Sequence, residues 1–338
     1  MKAIALETPG QLTAVNREAP PAPGPGEALI RVHTIGVCGT DIHAFRGEQP
    51  FFSYPRILGH ELGVEVQAVG SGVTALEIGA RCAVEPYFNC GECPPCRRGK
   101  TNCCLRLKVF GVHIDGGMRE QAIVPAAKLH PSARLSYEQL ALVEPLSIGM
   151  HAVARGAPAP GERTLVVGAG PIGLAVTEFA RLAGAEVLVM DVDEGRLAFC
   201  RGRWPDVTAI DGRGDAEATL RDLLGDDLPT VVFDATGNPR SMAGAFRYPG
   251  HGGRLIFVGL FQGDVAFNDP EFHRRELTLL ASRNSLAEDF LRIIKAMEDG
   301  AIDVAAWVTH RSSYDTFIER FPGWFSPGSG LIKAVVGL

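Results

Sequence analysis

Five of the eight cysteines fall between positions 90 and 104. Cys90, Cys93, Cys96 and Cys104 follow the pattern C-x2-C-x2-C-x7-C. Two-residue gaps let successive thiolates turn toward one point, and four thiolates around a tetrahedral Zn²⁺ make a closed, structural site. Gly91, Pro94, Pro95 and Gly99 lie in the same stretch, which has little apolar content of its own, so a metal would pin it. Cys103 competes with Cys104 for the fourth position, and a reduced cluster without metal is the plainer alternative. Arg97, Arg98 and Lys100 form only a small basic patch, a poor surround for nucleic acid.

A second chemistry-bearing stretch is Gly168-Ala169-Gly170-Pro171-Ile172-Gly173. It follows a β-branched, apolar run, Thr164-Leu165-Val166-Val167, and opens a segment with helical apolar spacing to Leu182. A further apolar run, 186–190, ends at Asp191, about 18 residues past the third glycine, close to the roughly 20 expected of a dinucleotide fingerprint. Gly168 permits the tight turn, Gly170 lets the backbone approach a pyrophosphate, and Gly173 lets helix and strand pack closely. The helix N-terminus offers free N–H groups and partial positive charge to phosphates. Asp191 can accept hydrogen bonds from the adenosine ribose hydroxyls and would repel a 2′-phosphate. No arginine stands beside it in Val192-Asp193, so NAD is expected rather than NADP. Arg196 joins the cofactor candidates, with Thr236, Val258, Gly259, Leu260 and Arg283, which follow later apolar runs where the ligand crevice of a doubly wound sheet lies.

Positioning these residues takes two kinds of architecture. From about 162 the chain alternates strand-like and helix-like segments, as a parallel α/β sheet requires. Residues 1–150 instead carry short β-like runs (28–32, 63–69, 81–84, 120–124) broken by Gly and Pro, which suits a small barrel-like β domain. With 338 residues, about two domains are expected. The chain is 46% hydrophobic and 21% charged, which excludes a disordered polymer. The net charge of −6, without a basic block, disfavours nucleic acid and anionic membrane surfaces as partners. The longest apolar run, about 255–261, is too short to span a bilayer, and the start carries no signal-peptide pattern, so a cytoplasmic location is expected.

Within the first half three segments stand out: Gly36-Val37-Cys38-Gly39-Thr40-Asp41-Ile42-His43, Gly59-His60-Glu61, and Val143-Glu144-Pro145-Leu146-Ser147. Each alone is modest. Taken in order with the cysteine lobe and the glycine fingerprint, they resemble the zinc-containing medium-chain dehydrogenases, the alcohol, sorbitol and threonine dehydrogenase family, over essentially the whole chain. The resemblance implies a Rossmann doubly wound parallel sheet (151–284) inserted in a GroES-like β-barrel catalytic domain (1–150 and 285–338) that carries both zinc sites. It implies one structural zinc in the lobe and one catalytic zinc on Cys38, His60 and Glu144. Glu144 stands where simple alcohol dehydrogenases have Cys and polyol dehydrogenases have Glu. A carboxylate in place of a thiolate leaves more positive charge on the metal unit and sharpens its Lewis acidity. Glu61 is implied to bind the metal or exchange with water there, and Asp41 to orient His60 through its other ring nitrogen.

For the reaction, the resemblance implies hydride transfer from a secondary alcohol to NAD. Thr40 accepts the hydroxyl proton and relays it by way of the nicotinamide ribose to His43 and then solvent, a last step that suits imidazole because histidine titrates near physiological pH. Glu144 favours polyols or sugar acids. The stretch 271–284 is similar to galactonate and gulonate 5-dehydrogenases, and His273, Arg274 and Arg275 offer cationic character for a substrate carboxylate or simply form salt bridges. L-threonine 3-dehydrogenase and sorbitol dehydrogenase are the alternatives within the family. A redox-silent NAD-binding protein keeping only structural zinc is the alternative outside it. Family members imply a homodimer or homotetramer.

Overall fold

The computed structural model describes residues 1–49, 52–326 and 328–338. The chain forms two compact units, Met1–Pro145 with Leu286–Leu338, and Leu146–Ser285. Among the described residues no helix is long and apolar enough to cross a membrane.

The first unit is mainly β. Its larger sheet runs Leu129–Pro131, Arg81–Val84, Glu61–Val69, Glu27–Val37, Lys333–Gly337, Val308–Ser313, with Gln121–Pro125 also pairing Glu27–Val37. A smaller sheet joins Lys2–Thr8 to Gln11–Asn16 and Arg56–Ile57. The β-branched, apolar positions of these strands make one core around Ile4, Leu6, Ile30, Ile35, Leu62 and Val64, extended by Phe317 and Phe321 of helix Tyr314–Trp324. Register places the chemistry. Glu27–Val37 ends immediately before Cys38, and in antiparallel pairing Gly36 faces Glu61 while Val37 faces Ala334. The chain positions Cys38, His60, Glu61 and Lys333 therefore lie at one end of three neighbouring strands. Gly36 has to be glycine there, because a Cβ would lie 2.1 Å from Glu61 Oε2.

The second unit is a six-stranded parallel sheet in the order Thr208–Asp211, Glu186–Asp191, Arg163–Val167, Val231–Asp234, Arg254–Phe257, Thr278–Ala281. This is the doubly wound order with its reversal beside the first strand. Helices Pro171–Leu182, Glu194–Arg203, Ala216–Leu224 and Pro239–Gly244 connect the strands, and Leu165, Leu188, Val232 and Leu255 lie in its buried core. The fold class is mixed α/β, as expected, a mainly β unit and a Rossmann-type, doubly wound parallel sheet next to it in sequence. Strand ends differ from the sequence expectation by a few residues. The strand expected at 28–32 runs on to Val37, because Thr34, Ile35 and Gly36 still find ladder partners in Gly63, Leu62 and Glu61.

Candidate functional site

In the lobe, Cys90, Cys93, Cys96 and Cys104 bring their sulfurs within 4.8 Å of one another. Individual separations are 3.4 Å (Cys93 to Cys96), 3.5 Å (Cys104 to Cys90) and 3.8 Å (Cys93 to Cys104). A tetrahedron of thiolates about 2.3 Å from zinc has edges of about 3.8 Å, so the four fit the ion closely. Cys103 is exposed and outside the group. Cys90 N–H and Arg106 N–H both donate to Cys104 Sγ at 3.3 Å, and the Arg106 guanidinium beside Cys90 holds its thiol down to about 5, while burial pushes the Cys96 thiol up to about 11. The lobe is an excursion from a two-stranded stem in which Tyr87 pairs Val109 and Phe88 pairs Lys108.

The second cluster is built by the large sheet. Cys38, His60 and Glu61 each offer a ligand atom, all within 4.8 Å of one another, with His60 and Glu61 buried. Cys38 caps helix Gly39–Arg46, and its N–H donates to Asp41 Oδ2 at 2.9 Å. The other Asp41 oxygen, Oδ1, stands 3.9 Å from His60 Nδ1, and neither atom has a hydrogen bond although both are buried. The imidazole also hydrogen-bonds the Cys38 side chain, and Asp41 is placed to fix the ring when a metal is bound. Burial would lower the His60 pKa, but the Cys38 sulfur, Asp41 and Glu144 around it hold it well above its ordinary value. Such a concentration of negative donors around one point suits a cation. Thiolate, imidazole and carboxylate together suit zinc, which accepts all three.

Glu144 is buried in the first turn of helix Val143–Gly156, where Pro145 is tolerated because the first turn has no intrahelical partner for its missing N–H. Burial pushes its carboxyl up to about 7, against the pull of His60. The compact trio thus contains Glu61, whereas the sequence resemblance made Glu144 the third ligand; the structure sets Glu144 beside the trio, its Oε1 accepting a hydrogen bond from the Tyr87 hydroxyl. Glu61 is ion-paired with Lys333, itself only 2% exposed, whose Nζ also donates to Val37 O at 3.0 Å. Tyr87 and Lys333 were not expected to matter. For Lys333 a signal existed, a lone charge leading the apolar run Ala334–Val336. For Tyr87 there was none. Thr40 lies half-buried in the first turn of Gly39–Arg46, and His43 is exposed on the same helix, its Nδ1 3.0 Å from Glu48 Oε2.

In the second unit the glycine fingerprint has the conformation each position calls for. Gly168 has φ +97°, a Cβ on Gly173 would lie 1.6 Å from Gly168 O, and a Cβ on Gly170 would meet only Arg196 Nη1, at 3.7 Å. The strand–helix approach therefore excludes a side chain at 173, while 170 is open to a ligand. Ala169, Pro171 and Ile172 complete the turn into helix Pro171–Leu182, whose N-cap is Gly170. Asp191 closes the strand Glu186–Asp191; Oδ2 accepts from Ala169 N–H at 2.6 Å and Oδ1 from Asp193 N–H at 2.9 Å. Arg196, five positions on, brings its guanidinium to 3.8 Å from Asp191 Oδ2, so an arginine does stand near the acid through space. Thr236, Val258, Gly259, Leu260 and Arg283 all follow the carboxyl ends of the adjacent strands Val231–Asp234, Arg254–Phe257 and Thr278–Ala281. The Val258 and Gly259 N–H groups both donate to Asp234 O.

The cationic group expected near a substrate carboxylate is otherwise engaged. Arg274 pairs with Glu271, and buried Arg275 donates to the carbonyls of Arg247 and Pro249. The Arg274 pair lies within helix Asp269–Arg274, while Arg275 ties the end of that helix to the segment 247–249 of its own unit.

Residues 24–134 match the alcohol dehydrogenase GroES-like domain, and residues 171–299 match the zinc-binding dehydrogenase domain. L-Galactonate-5-dehydrogenase of Escherichia coli (strain K12) is 42% identical over 336 residues, 99% of this chain and 98% of that one. Among solved structures, an alcohol dehydrogenase of E. coli CFT073 complexed with NADH superposes with a TM-score of 0.93 at 30% identity, covering 100% of this chain and 99% of that one. A zinc-binding dehydrogenase of Sinorhizobium meliloti 1021 bound to NADP gives 0.91 at 28% identity, with 100% and 99% covered.

Proposed function

The chain belongs to the zinc-containing medium-chain alcohol dehydrogenase family, and we propose that within it the protein oxidises a secondary hydroxyl of a sugar acid, of the galactonate or gulonate 5-dehydrogenase kind, with NAD as hydride acceptor. The observation that carries the reading is the meeting of Cys38, His60 and Glu61 with Glu144 beside them, from segments far apart along the chain. Cys38, His60 and Glu144 would hold the catalytic zinc, with Glu61 binding there in exchange with water; the lobe cysteines would hold a second, structural ion. Bound zinc supplies a Lewis acid that lowers the pKa of the substrate hydroxyl, and the nicotinamide supplies the hydride acceptor.

The chain's own residues orient and move protons. Asp41 Oδ1 fixes the His60 ring. Thr40 Oγ1 takes the hydroxyl proton, and exposed His43 hands it to water. Gly168 to Gly173 and the N-terminus of Pro171–Leu182 receive the pyrophosphate, and Asp191 receives the ribose hydroxyls. Arg196, already facing Asp191, is more usefully spent on that carboxylate than on a 2′-phosphate, which supports NAD. Thr236, Val258, Gly259, Leu260 and Arg283 would line the rest of the cofactor crevice. The same reading includes a homodimer or homotetramer in the cytoplasm.

The test is NADH formation with L-galactonate, L-gulonate, sorbitol, arabinitol and L-threonine, with NADP⁺ as comparison. Turnover led by a hexonate with NAD⁺ supports the proposal. Turnover led by threonine or a polyol moves the substrate class, and faster reaction with NADP⁺ overturns the reading of Asp191. A chain holding one zinc and turning over none of them would be the redox-silent protein.

A further inference from the structure

The strand Val231–Asp234 of the second unit ends on a carboxylate that is 0% exposed. In the parallel ladder Asp234 lies between Val167 and Phe257, the last residues of the flanking strands Arg163–Val167 and Arg254–Phe257. Three turns therefore leave the sheet side by side: the glycine fingerprint after Val167, residues 235–238 after Asp234, and Val258 to Leu260 after Phe257. Asp234 ties two of them. Its backbone O accepts from the Val258 and Gly259 N–H groups at 2.9 and 3.0 Å. Its side chain holds the turn that follows it: Oδ1 accepts from the Thr236 N–H at 2.9 Å and the Thr236 hydroxyl at 2.7 Å, and Oδ2 accepts from the Ser241 hydroxyl at 2.7 Å. Thr236 Oγ1 in turn accepts from the Asn238 N–H at 3.1 Å.

Taking a carboxylate out of water costs free energy that hydrogen bonds offset only in part, so an apolar residue could end this strand more cheaply. What the carboxylate adds is a fixed shape for a turn whose Thr236 and Asn238 are exposed. The neighbouring turns approach closely on both sides. A Cβ on Gly168 would lie 3.0 Å from Thr236 Cγ2, and one on Gly259 would lie 2.2 Å from Gly237 N. Asp191, which receives the adenosine ribose in the proposed function, ends the strand that pairs with the opposite edge of Arg163–Val167. With the pyrophosphate over the fingerprint between them, the turn after Asp234 falls to the nicotinamide half of the cofactor.

We infer that Asp234 is a positioning residue for that half: its buried carboxylate fixes the exposed turn 235–238 between the fingerprint and the turn after Phe257, so that the cofactor meets a surface already formed. This rests on NAD binding in the proposed function. A buried aspartate that served stability alone would lower the melting temperature and leave the affinity of the folded protein unchanged.

The experiment compares NADH and AMP binding to the parent chain and to Asp234→Ala, Ser241→Ala and Asp234→Asn, with nicotinamide fluorescence for NADH and calorimetry for AMP. A melting curve verifies that each variant is folded. AMP fills only the adenosine half. Asp234→Ala should weaken NADH by about 5–20-fold and AMP by less than about twofold. Ser241→Ala, which frees only Oδ2, should weaken NADH by about 2–3-fold. Asp234→Asn should stay within about twofold of the parent, because the amide oxygen can serve Thr236 while its NH₂ donates to a Ser241 hydroxyl turned to accept. Parent-like NADH affinity in folded Asp234→Ala overturns the role, and so does equal weakening of NADH and AMP. Should Asp234→Ala not melt cooperatively, parent-like NADH affinity in Ser241→Ala overturns it instead. A parent chain that binds no NADH overturns the NAD reading itself, a result distinct from a variant that matches a parent that binds.

Discussion

The cysteine lobe and the mixed-donor cluster sit in the same unit and gather their side chains by opposite routes. The lobe's ligands lie between positions 90 and 104, are all sulfur, and meet because short gaps and tight turns leave them little choice. The candidate residues of the other site run from position 38 to 144: Cys38, His60 and Glu61 meet because strands pair in one register, Gly36 against Glu61 and Val37 against Ala334, and Glu144 comes from helix Val143–Gly156. The lobe's donors are held by one another and by N–H groups. Those of the mixed site each have a distinct partner, Asp41 for His60, Lys333 for Glu61 and Tyr87 for Glu144. A closed all-thiolate shell has no position left for a reactant, whereas a mixed shell of buried donors with outside tethers can be tuned. A site that must only hold can be local; a site that must react is built from the whole sheet.

The sharpest break of this contrast is His60→Ala. It should lower turnover by about 10³-fold or more, the several kcal/mol a Lewis acid contributes, and remove about one of two zincs, with little change in melting temperature. Metal analysis beside an activity assay checks it, and an equal loss of stability would blur the two sites into one. Cys93→Ser should do the reverse, costing the lobe's zinc and lowering Tm by about 5–10 °C, since structural zinc contributes folding free energy. Calorimetry decides; an unchanged Tm would mean that the lobe is not pinned by metal.

Gly36→Ala tests the claim that register builds the reactive site. Its Cβ would fall 2.1 Å from Glu61 Oε2 and 2.9 Å from Glu61 Cβ. Displacing Glu61 should cost about 1–3 kcal/mol of stability and reduce turnover while the lobe keeps its zinc. Normal turnover would show that Glu61 can be moved freely.

The smallest effect lies in the other unit and serves as the control for both metal regions. Burial would raise the Glu162 carboxyl, but hydrogen bonds from Arg254, Thr230 and the Ala159 N–H outweigh it and lower the pKa from 4.5 to about 2. A depressed carboxyl adds stability above its unfolded value and loses it as pH falls from about 4.5 to about 2. Arg254→Gln should therefore cost about 1–2 kcal/mol at neutral pH and flatten this acid loss, with zinc content and kcat unchanged. Denaturation across pH measures it, and a changed zinc content would show that this unit's stability is coupled to the metal regions.

What could be read in the sequence follows the same division. The lobe was legible because its geometry is a matter of spacing; only the choice between Cys103 and Cys104 needed coordinates. The glycine fingerprint was legible because each glycine answers a backbone demand, visible in the φ of Gly168 and the closeness of Gly173 to Gly168 O. The trio of Cys38, His60 and Glu61 could not be assembled from spacing, since strand register brings it together, and it entered only through resemblance to a family. The partners of Tyr87 and Lys333 lie 57 and 272 positions away, so the lone charge of Lys333 ahead of an apolar run was a signal without a partner and Tyr87 gave none. For Arg274 and Arg275 the sequence left two readings open, because it shows a cation but not the carboxylate or carbonyls that engage it.

The central claim is that Cys38, His60 and a carboxylate share one zinc. Anomalous diffraction at the zinc edge, on crystals of the zinc-loaded protein, tests it directly. The account predicts a peak about 2.3 Å from Cys38 Sγ and about 2.0–2.1 Å from a ring nitrogen of His60, with a Glu144 or Glu61 oxygen about 2.0–2.2 Å away, and a second peak among the lobe cysteines. A peak in the lobe alone, with Cys38 and His60 bare, would contradict it.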